Sequence, residues 1–178
     1  MSPARNATVV LIACLAAATP AAAEEGGQPM ISALAITSPA FADGQPIPAR
    51  FTADGANISP ELVIANPPAG TACFALIVDD PDAPMGTWVH WVAWNIPAST
   101  TKIPEGRLPT GSLEGRNSWG RTGYGGPSPP SGTHRYHFKL YAIDRPLELP
   151  RTADKLALID AMEGHVLARA QLTGTYRR

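Results

Sequence analysis

The chain has 178 residues, of which 44% are apolar and 16% are charged, and its formal net charge is -1. This length fits one domain of ordinary size, and the apolar content suffices for a packed core. The nearly neutral charge balance argues against a nucleic-acid-binding protein. The 19 prolines and 16 glycines argue against a helix bundle, because helix interiors exclude both residues. The composition therefore predicts short strands joined by turns and ordered loops.

The first 23 residues have the pattern of a secretory signal peptide. Arg5 supplies the positive region, an uncharged apolar run of about ten residues follows, and Ala21–Ala23 forms a small-residue cleavage site. The run is too short for a membrane span, which needs about 20 residues, so we expect no transmembrane segment. We expect cleavage after Ala23, a mature domain over residues 24–178, and a periplasmic or secreted location. Lipidation at Cys14 is the alternative.

The predicted elements are short strands, a long central loop and one helical segment. Strand patterns occur at residues 31–36, 61–65, 72–78, 88–96, 135–143 and 172–176. The continuous apolar runs at 72–78 and 88–96 are typical of strands buried on both faces, whereas 135–143 alternates like a strand with one buried face. Residues 153–170 have helical spacing. The long Gly- and Pro-rich segment 97–134 indicates an ordered functional loop.

The first segment that can carry chemistry joins the two apolar runs. It reads Asp79-Asp80-Pro81-Asp82-Ala83-Pro84, and Trp88-Val89-His90-Trp91 follows. The prolines stiffen the turn and hold its carboxylates in place. A single histidine in an aromatic strand is more often a hydrogen-bonded core residue than a functional one. His90 by itself is therefore not diagnostic of a site.

The second such segment is the Gly- and Pro-rich loop from Gly123 to Tyr136. Its prolines fix the backbone and its glycines allow tight turns, so several amide N–H groups can point at one anion. A flexible linker is the alternative, but His134 begins a well-patterned strand. Because neighbours on a strand face opposite sides, we expect Arg135 to form an ion pair outside any site that contains His134.

Taken together, these motifs resemble the phosphatidylethanolamine-binding protein family. The resemblance rests on the order Asp-Pro-Asp-x-Pro, His-Trp and Gly-Pro-x-Pro-Pro-x-Gly-x-His-Arg-Tyr, and it extends over residues 33–176. Within the family, the bacterial YbhB/YbcL type, also called Raf kinase inhibitor-like, is the most similar. The resemblance implies a mainly β fold, an antiparallel Greek-key sandwich with a few short helices including a C-terminal one. It also suggests a cis bond between Ala83 and Pro84.

The resemblance further implies a small anion pocket at one end of the sheet. Its residues are then Asp80, Pro84, Trp88, His90, Ser128, Pro130, His134 and Tyr136. Family members hold phosphate, phosphoethanolamine or similar anions there. Two imidazoles with a neighbouring carboxylate and loop amides form a suitable donor set for a phosphate group. Two departures from the family pattern are Ile64, where relatives often have Trp, and Ser128, where bacterial relatives often have Cys.

Three classes of function compete. We expect a secreted or periplasmic protein that binds a small anionic ligand, such as phosphate, phosphoethanolamine or a phospholipid headgroup, without catalysis, metal or cofactor. The alternative is a protein-interaction module that modulates a protease or kinase pathway through an unidentified partner. A phosphoester hydrolase that uses Asp80, His90 and His134 is disfavoured, because the sequence lacks a Gly-x-Ser-x-Gly nucleophile motif.

Overall fold

The computed structural model describes residues 33–178. The predicted signal peptide, Cys14 and the first two positions of the strand expected at 31–36 lie outside these residues. The described elements are β1 (Ala35–Thr37), a 3₁₀ turn (Ala49–Phe51), β2 (Leu62–Ala65), β3 (Cys73–Asp80), β4 (Trp88–Pro97), β5 (Lys102–Ile103), β6 (Leu113–Glu114), β7 (Thr133–Ile143), α1 (Lys155–Met162) and β8 (Val166–Arg177). The fold is therefore mainly β, as expected.

The strands form two antiparallel sheets that enclose the main core. The smaller sheet has the order β1-β2-β5, and the larger has the order β6-β4-β3-β7-β8. Apolar side chains from both sheets pack in one cluster, which includes Ile36, Leu62, Ile64, Ile103, Phe74, Leu76, Phe138 and Leu140. Burial of such side chains away from water is the main stabilising contribution. The arrangement confirms the expected antiparallel sandwich.

The central strand β3 is buried on both faces, as its continuous apolar run predicts. One face contributes to the core between the sheets, and the other packs against a second cluster that contains Leu158 and Met162 of α1. Cys73 lies on this second face, and burial raises the pKa of its thiol. No helix within residues 33–178 is long and apolar enough to cross a membrane.

The C-terminal region differs from the helix expected at 153–170. Helix α1 covers only Lys155–Met162, and Asp154 caps it by accepting two backbone N–H groups. Gly164 has a φ of +76°, a conformation that ends helices and suits glycine. Strand β8 then pairs with β7 along its whole length. The expectation failed because the small apolar residues after Gly164 also fit the two-residue period of a strand, and pairing with β7 favours it.

Candidate anion-binding pocket

The pairing of β3 with β4 is irregular at His90. Asp79 pairs with Val89 while Val78 pairs with Trp91, so His90 is the additional residue of a β-bulge. A bulge bends the strand and changes the direction of the side chain at that position. The residue is only 2% exposed, and the bulge places its imidazole at the wall of a cavity rather than in a regular strand position.

The ring of His90 is anchored through one nitrogen. Its Nδ1–H donates to the carbonyl of Gly125 at 2.6 Å, and the N–H of Gly125 donates back to the His90 carbonyl at 2.9 Å. Because a carbonyl only accepts, Nδ1 must carry the proton. Burial lowers the pKa of His90, and the bond to Gly125 and the charge of Asp80 oppose this effect. The neutral ring therefore has its lone pair on Nε2.

His134 and Asp80 form a buried pair on the opposite wall. Nδ1 of His134 lies 2.7 Å from Oδ2 of Asp80, and the other oxygen of Asp80 accepts the N–H of Asp82 at 2.8 Å. Both carboxylate oxygens are thus engaged, and His134 also keeps Nε2 as its unanchored nitrogen. The antiparallel pairing of β3 with β7 brings these two residues together.

An exposed ion pair holds the turn after β3 from outside the cavity. The guanidinium of Arg135 donates to both oxygens of Asp82, at 2.9 and 2.6 Å, and the Arg135 backbone N–H adds a third bond. These contacts lower the pKa of Asp82 to about 2. The expected position of Arg135 is thereby confirmed. The peptide bond between Ala83 and Pro84 is trans, so the cis bond suggested by the resemblance is wrong; this turn is held by the bonds of Asp80 and Asp82.

A cavity of about 320 Å³ lies between the two histidines. Its lining consists of Asp80, Ala83, Pro84, Met85, Trp88, His90, Trp119, Ser128, Pro130 and His134. Seven of the eight residues expected from the sequence therefore meet around one space. The eighth, Tyr136, is fully buried beside His90, with ring centroids 5.1 Å apart, so it packs behind the cavity wall and does not line the cavity. That these residues bind a ligand stays a prediction.

Trp119 and Met85 line the cavity but were missed by the sequence reasoning. The indole of Trp119 makes edge-to-face contacts with Trp88, at 5.4 Å, and with His90, at 5.1 Å. Gly125 makes room for this indole, since a Cβ there would lie 2.5 Å from the ring. Met85 is 95% exposed at the tip of the turn before β4. The one available signal was a tryptophan isolated in an otherwise polar loop.

The Gly- and Pro-rich loop supplies fewer donors than the sequence suggests. The N–H of Gly125 bonds to His90, and the N–H of Gly126 bonds to Oδ1 of Asn57 at 2.7 Å. Prolines have no N–H to offer, and they occupy positions 127, 129 and 130. The hydroxyl of Ser128 is thus the polar side-chain group that this Gly- and Pro-rich stretch contributes to the cavity. The loop acts as a stiff wall rather than as a ring of amide donors.

Other cavities have different chemistry. One of about 540 Å³ lies against Trp91, Glu114 and Arg151, and one of about 630 Å³ lies between the end of α1 and β8. Although both are larger, no histidine lines either of them. Within residues 33–178, no group of three His, Cys, Asp or Glu side chains is placed to hold a metal ion. The space between His90 and His134 is therefore the candidate site.

Comparison with known proteins places this chain in a family. The family model described as phosphatidylethanolamine-binding protein matches residues 37–177. A UPF0098 protein of Methanothermobacter thermautotrophicus is 52% identical over 144 residues, which cover 78% of this chain and 95% of that protein. A candidate lipoprotein of Mycobacterium tuberculosis, LppC, is 43% identical over 150 residues, which cover 83% of this chain and 74% of LppC.

A solved structure gives the same result. The crystal structure of Escherichia coli YbcL, described as a member of the mammalian PEBP family, matches this fold with a TM-score of 0.78. The two chains are 31% identical, and the match covers 83% of this chain and 99% of YbcL. From the family model, the close relatives and the shared fold together, we conclude that this chain belongs to the phosphatidylethanolamine-binding protein family.

Proposed function

We propose that this protein binds a small phosphorylated or otherwise anionic ligand between His90 and His134, without catalysis. The observation that supports the proposal is the pair of buried imidazoles, each anchored through Nδ1, on the walls of one cavity. When such a ring is protonated, its Nε2–H is a charged donor, and charge-assisted bonds are about twice as strong as neutral ones. The hydroxyl of Ser128 adds a neutral donor.

The remaining wall suits the organic part of a ligand. Pro84, Met85, Trp88 and Trp119 line the mouth of the cavity and offer apolar and aromatic surface. An aliphatic chain fits this surface through burial of apolar area, and an ammonium group fits it through cation–π attraction to an indole. A phosphate ester of a small alcohol or amino alcohol combines the required features. A phospholipid headgroup and a soluble ester share this chemistry.

Binding is favoured over hydrolysis by the partners of the histidines. Within residues 33–178, Nδ1 of His90 is bonded to Gly125 and Nδ1 of His134 to Asp80. Among the hydrogen bonds of this described part of the chain, none joins either ring to Ser128, the serine on the cavity wall. A serine nucleophile needs a base within hydrogen-bond reach. This geometry supports the proposal of binding over hydrolysis by a serine nucleophile.

We also propose a periplasmic or secreted location. The signal-peptide pattern of residues 1–23 supports it, and so does the similarity to LppC, a candidate lipoprotein. An intact-mass measurement on protein from the cell envelope tests this proposal. A mass that begins at Glu24 is expected, whereas a mass that includes residues 1–23, or a lipid on Cys14, contradicts cleavage after Ala23.

The second candidate function is an interaction module that modulates a protease or kinase pathway. The specific observation in its favour is Met85, which is 95% exposed beside the partly exposed indole of Trp119. Exposed apolar groups around a pocket often mark an interaction surface. A partner that binds there would compete with the small ligand. If this protein captures one defined partner protein and free phosphate releases that partner, the result would favour the interaction function.

Calorimetric titration with phosphate and phosphoethanolamine at pH 6, beside an assay with p-nitrophenyl phosphate, tests the first proposal. Saturable binding of one of these compounds without release of p-nitrophenol is the expected result. Release of p-nitrophenol that Asp80→Asn abolishes would replace the binding function with a hydrolase. Absence of binding to either compound would contradict the anion pocket.

A further inference from the structure

Both imidazoles of the pocket are fixed in the same tautomer. His90 Nδ1 faces a carbonyl at 2.6 Å, and His134 Nδ1 faces a carboxylate at 2.7 Å. Both partners are acceptors, so each Nδ1 carries a hydrogen. A neutral imidazole has only one N–H, and its other nitrogen is an acceptor. In their neutral forms, the two rings therefore offer the cavity lone pairs on Nε2 and no N–H donor.

The rest of the polar wall does not compensate for this. Asp80 is an acceptor, and its oxygens are already engaged. The N–H groups of Gly125 and Gly126 are bonded elsewhere. The neutral side-chain donors on the wall are the hydroxyl of Ser128 and, at the mouth, the indole N–H groups of Trp88 and Trp119. With neutral histidines, the two rings thus present lone pairs to the space between them, which is unfavourable for an oxyanion that consists only of acceptors.

We infer that the pocket selects oxyanions that carry a proton, such as hydrogenphosphate, over oxyanions of equal charge and shape that carry none, such as sulfate. This inference rests on the proposed anion-binding function. The P–OH group donates to one Nε2 lone pair, while the unprotonated oxygens accept from Ser128. Sulfate has no hydrogen to donate, so it binds only after a ring takes up a proton from solvent. The same holds for a phosphodiester, whereas a singly protonated phosphate monoester resembles hydrogenphosphate.

The surrounding charges determine when this selectivity disappears. Burial disfavours the charged form of His90, while the charge of Asp80 favours it, as does that of Asp79, which lies on the other face of β3 and is paired with Lys139 and Lys155. Around His134 lie Asp80 and Asp82, with Arg135 paired to Asp82 on the outside. Burial raises the pKa of Tyr136, and so does the charge of Asp80, whereas Arg178 lowers it. Tyr136 therefore stays neutral. The carboxylates favour a proton on His90 at low pH, and a protonated imidazole is a donor through Nε2.

The test is calorimetric titration of the purified protein with sodium phosphate and sodium sulfate at pH 8.5 and pH 5.5. One hydrogen bond to a charged group is worth about 1.5–3 kcal/mol, so we expect phosphate to bind about tenfold or more tightly than sulfate at pH 8.5. At pH 5.5, we expect the two affinities to agree within about threefold, since both rings can donate. Dimethyl phosphate, which represents the diester of a phospholipid headgroup, should follow sulfate. Titrations in two buffers of different ionisation enthalpy should show that sulfate takes up about one more proton than phosphate.

A variant supplies an independent readout. His90→Gln places an amide near the position of Nε2, and its N–H can donate at any pH. The preference for phosphate over sulfate at pH 8.5 should therefore fall at least about threefold in His90→Gln. His165→Gln is the matched control, because His165 is a partly exposed histidine paired with Asp144 away from the cavity. This control should keep the full preference.

Equal affinities for sulfate and phosphate at pH 8.5 would overturn the inference while leaving the proposed function intact, provided that both bind at pH 5.5. A preference for phosphate of the same size at both pH values would also overturn it, since histidine protonation would then play no part. Failure of both anions to bind at pH 5.5 would overturn the proposed function, and the inference with it. The comparison of wild type at the two pH values does not depend on whether His90→Gln folds.

Discussion

Nδ1 of His134 and Oδ2 of Asp80 lie 2.7 Å apart, although the two residues are 54 positions apart in the chain. Both are buried, in contrast to the pair of His165 and Asp144, which has a similar distance of 3.0 Å at the surface. The first pair orients an imidazole toward a cavity, and the second provides an internal comparison. The chain thus contains a buried and an exposed version of the same contact.

Asp80→Asn should weaken phosphate binding at pH 6 by about tenfold, because the charge that favours a protonated ring is lost. Loss of a charged hydrogen bond between buried groups should also lower the free energy of unfolding by about 1.5–3 kcal/mol. Urea denaturation and calorimetric titration measure the two effects. Asp144→Asn is the control and should change stability by less than about 1 kcal/mol, with phosphate binding unaltered. Equal effects of Asp80→Asn and Asp144→Asn on stability and phosphate binding would contradict the prediction that the buried pair matters more than the exposed one.

Gly125→Ala should destabilise the protein by about 1–3 kcal/mol, because the new methyl group would overlap the indole of Trp119. Trp119→Ala removes the atoms that the methyl group meets. The double variant should therefore be less destabilised than the sum of the two single variants, with an interaction energy of about 0.5–3 kcal/mol. Urea denaturation of wild type, the two single variants and the double variant gives the four free energies of unfolding for this double-mutant cycle. Strict additivity would show that the small size of Gly125 serves something other than the packing of Trp119.

The ion pair of Asp82 and Arg135 should stabilise the fold only while Asp82 is ionised. The pKa of Asp82 is about 2 in the folded protein, below an ordinary value of about 3.9. The stabilisation of the fold by the ion pair is therefore complete above about pH 4, and it disappears as the pH falls through about 2. Arg135→Ala should lower the free energy of unfolding only slightly at pH 6, since the pair is largely exposed, and by almost nothing at pH 2. Arg177→Ala, an exposed arginine of β8, should show no such dependence, and a constant difference for Arg135→Ala would contradict the account.

The lowered pKa of His90 should appear in the stability of the ligand-free protein. Burial depresses this pKa in the folded state, so the unfolded chain binds the proton more readily. The stability gained by keeping His90 neutral is complete above the ordinary histidine pKa of about 6.5, and it is lost as the pH falls below this value. Wild type should thus lose more stability than His90→Gln between pH 7.5 and 5, by about 1.4 kcal/mol for each unit of depression. Parallel stability curves for the two proteins would show that His90 is not held neutral.

Features set by local pattern could be read from the sequence. The alternation of β7 predicts that Tyr136 and Phe138 face the core while Arg135 points outward, because a strand repeats every two residues. The continuous apolar run of β3 likewise predicts burial on both faces. These properties depend on the residues of one segment. A pattern in that segment is enough to specify them.

Features set by distant partners could not be read in this way. The bulge at His90 depends on the register between β3 and β4, and the amide of Gly126 is occupied by Asn57, 69 positions away. The indole of Trp119 reaches the cavity from a separate loop. For β8, the residues after Gly164 fit both a helix and a strand, and only the pairing with β7 decides between them. Contacts between distant residues therefore decide which hydrogen-bond donors face the pocket, and a local sequence pattern does not reveal them.

Calorimetric titration of phosphate into wild type, His90→Ala and His165→Ala at pH 6 and pH 8 tests the central claim most directly. Protonated imidazoles donate to phosphate, so binding to wild type should be tighter at pH 6 than at pH 8. His90→Ala should bind phosphate about tenfold or more weakly at pH 6, while His165→Ala should match wild type. Thermal unfolding of each variant confirms that it is folded. Equal phosphate affinities for wild type and folded His90→Ala would show that His90 is only a core residue and that the anion site lies elsewhere.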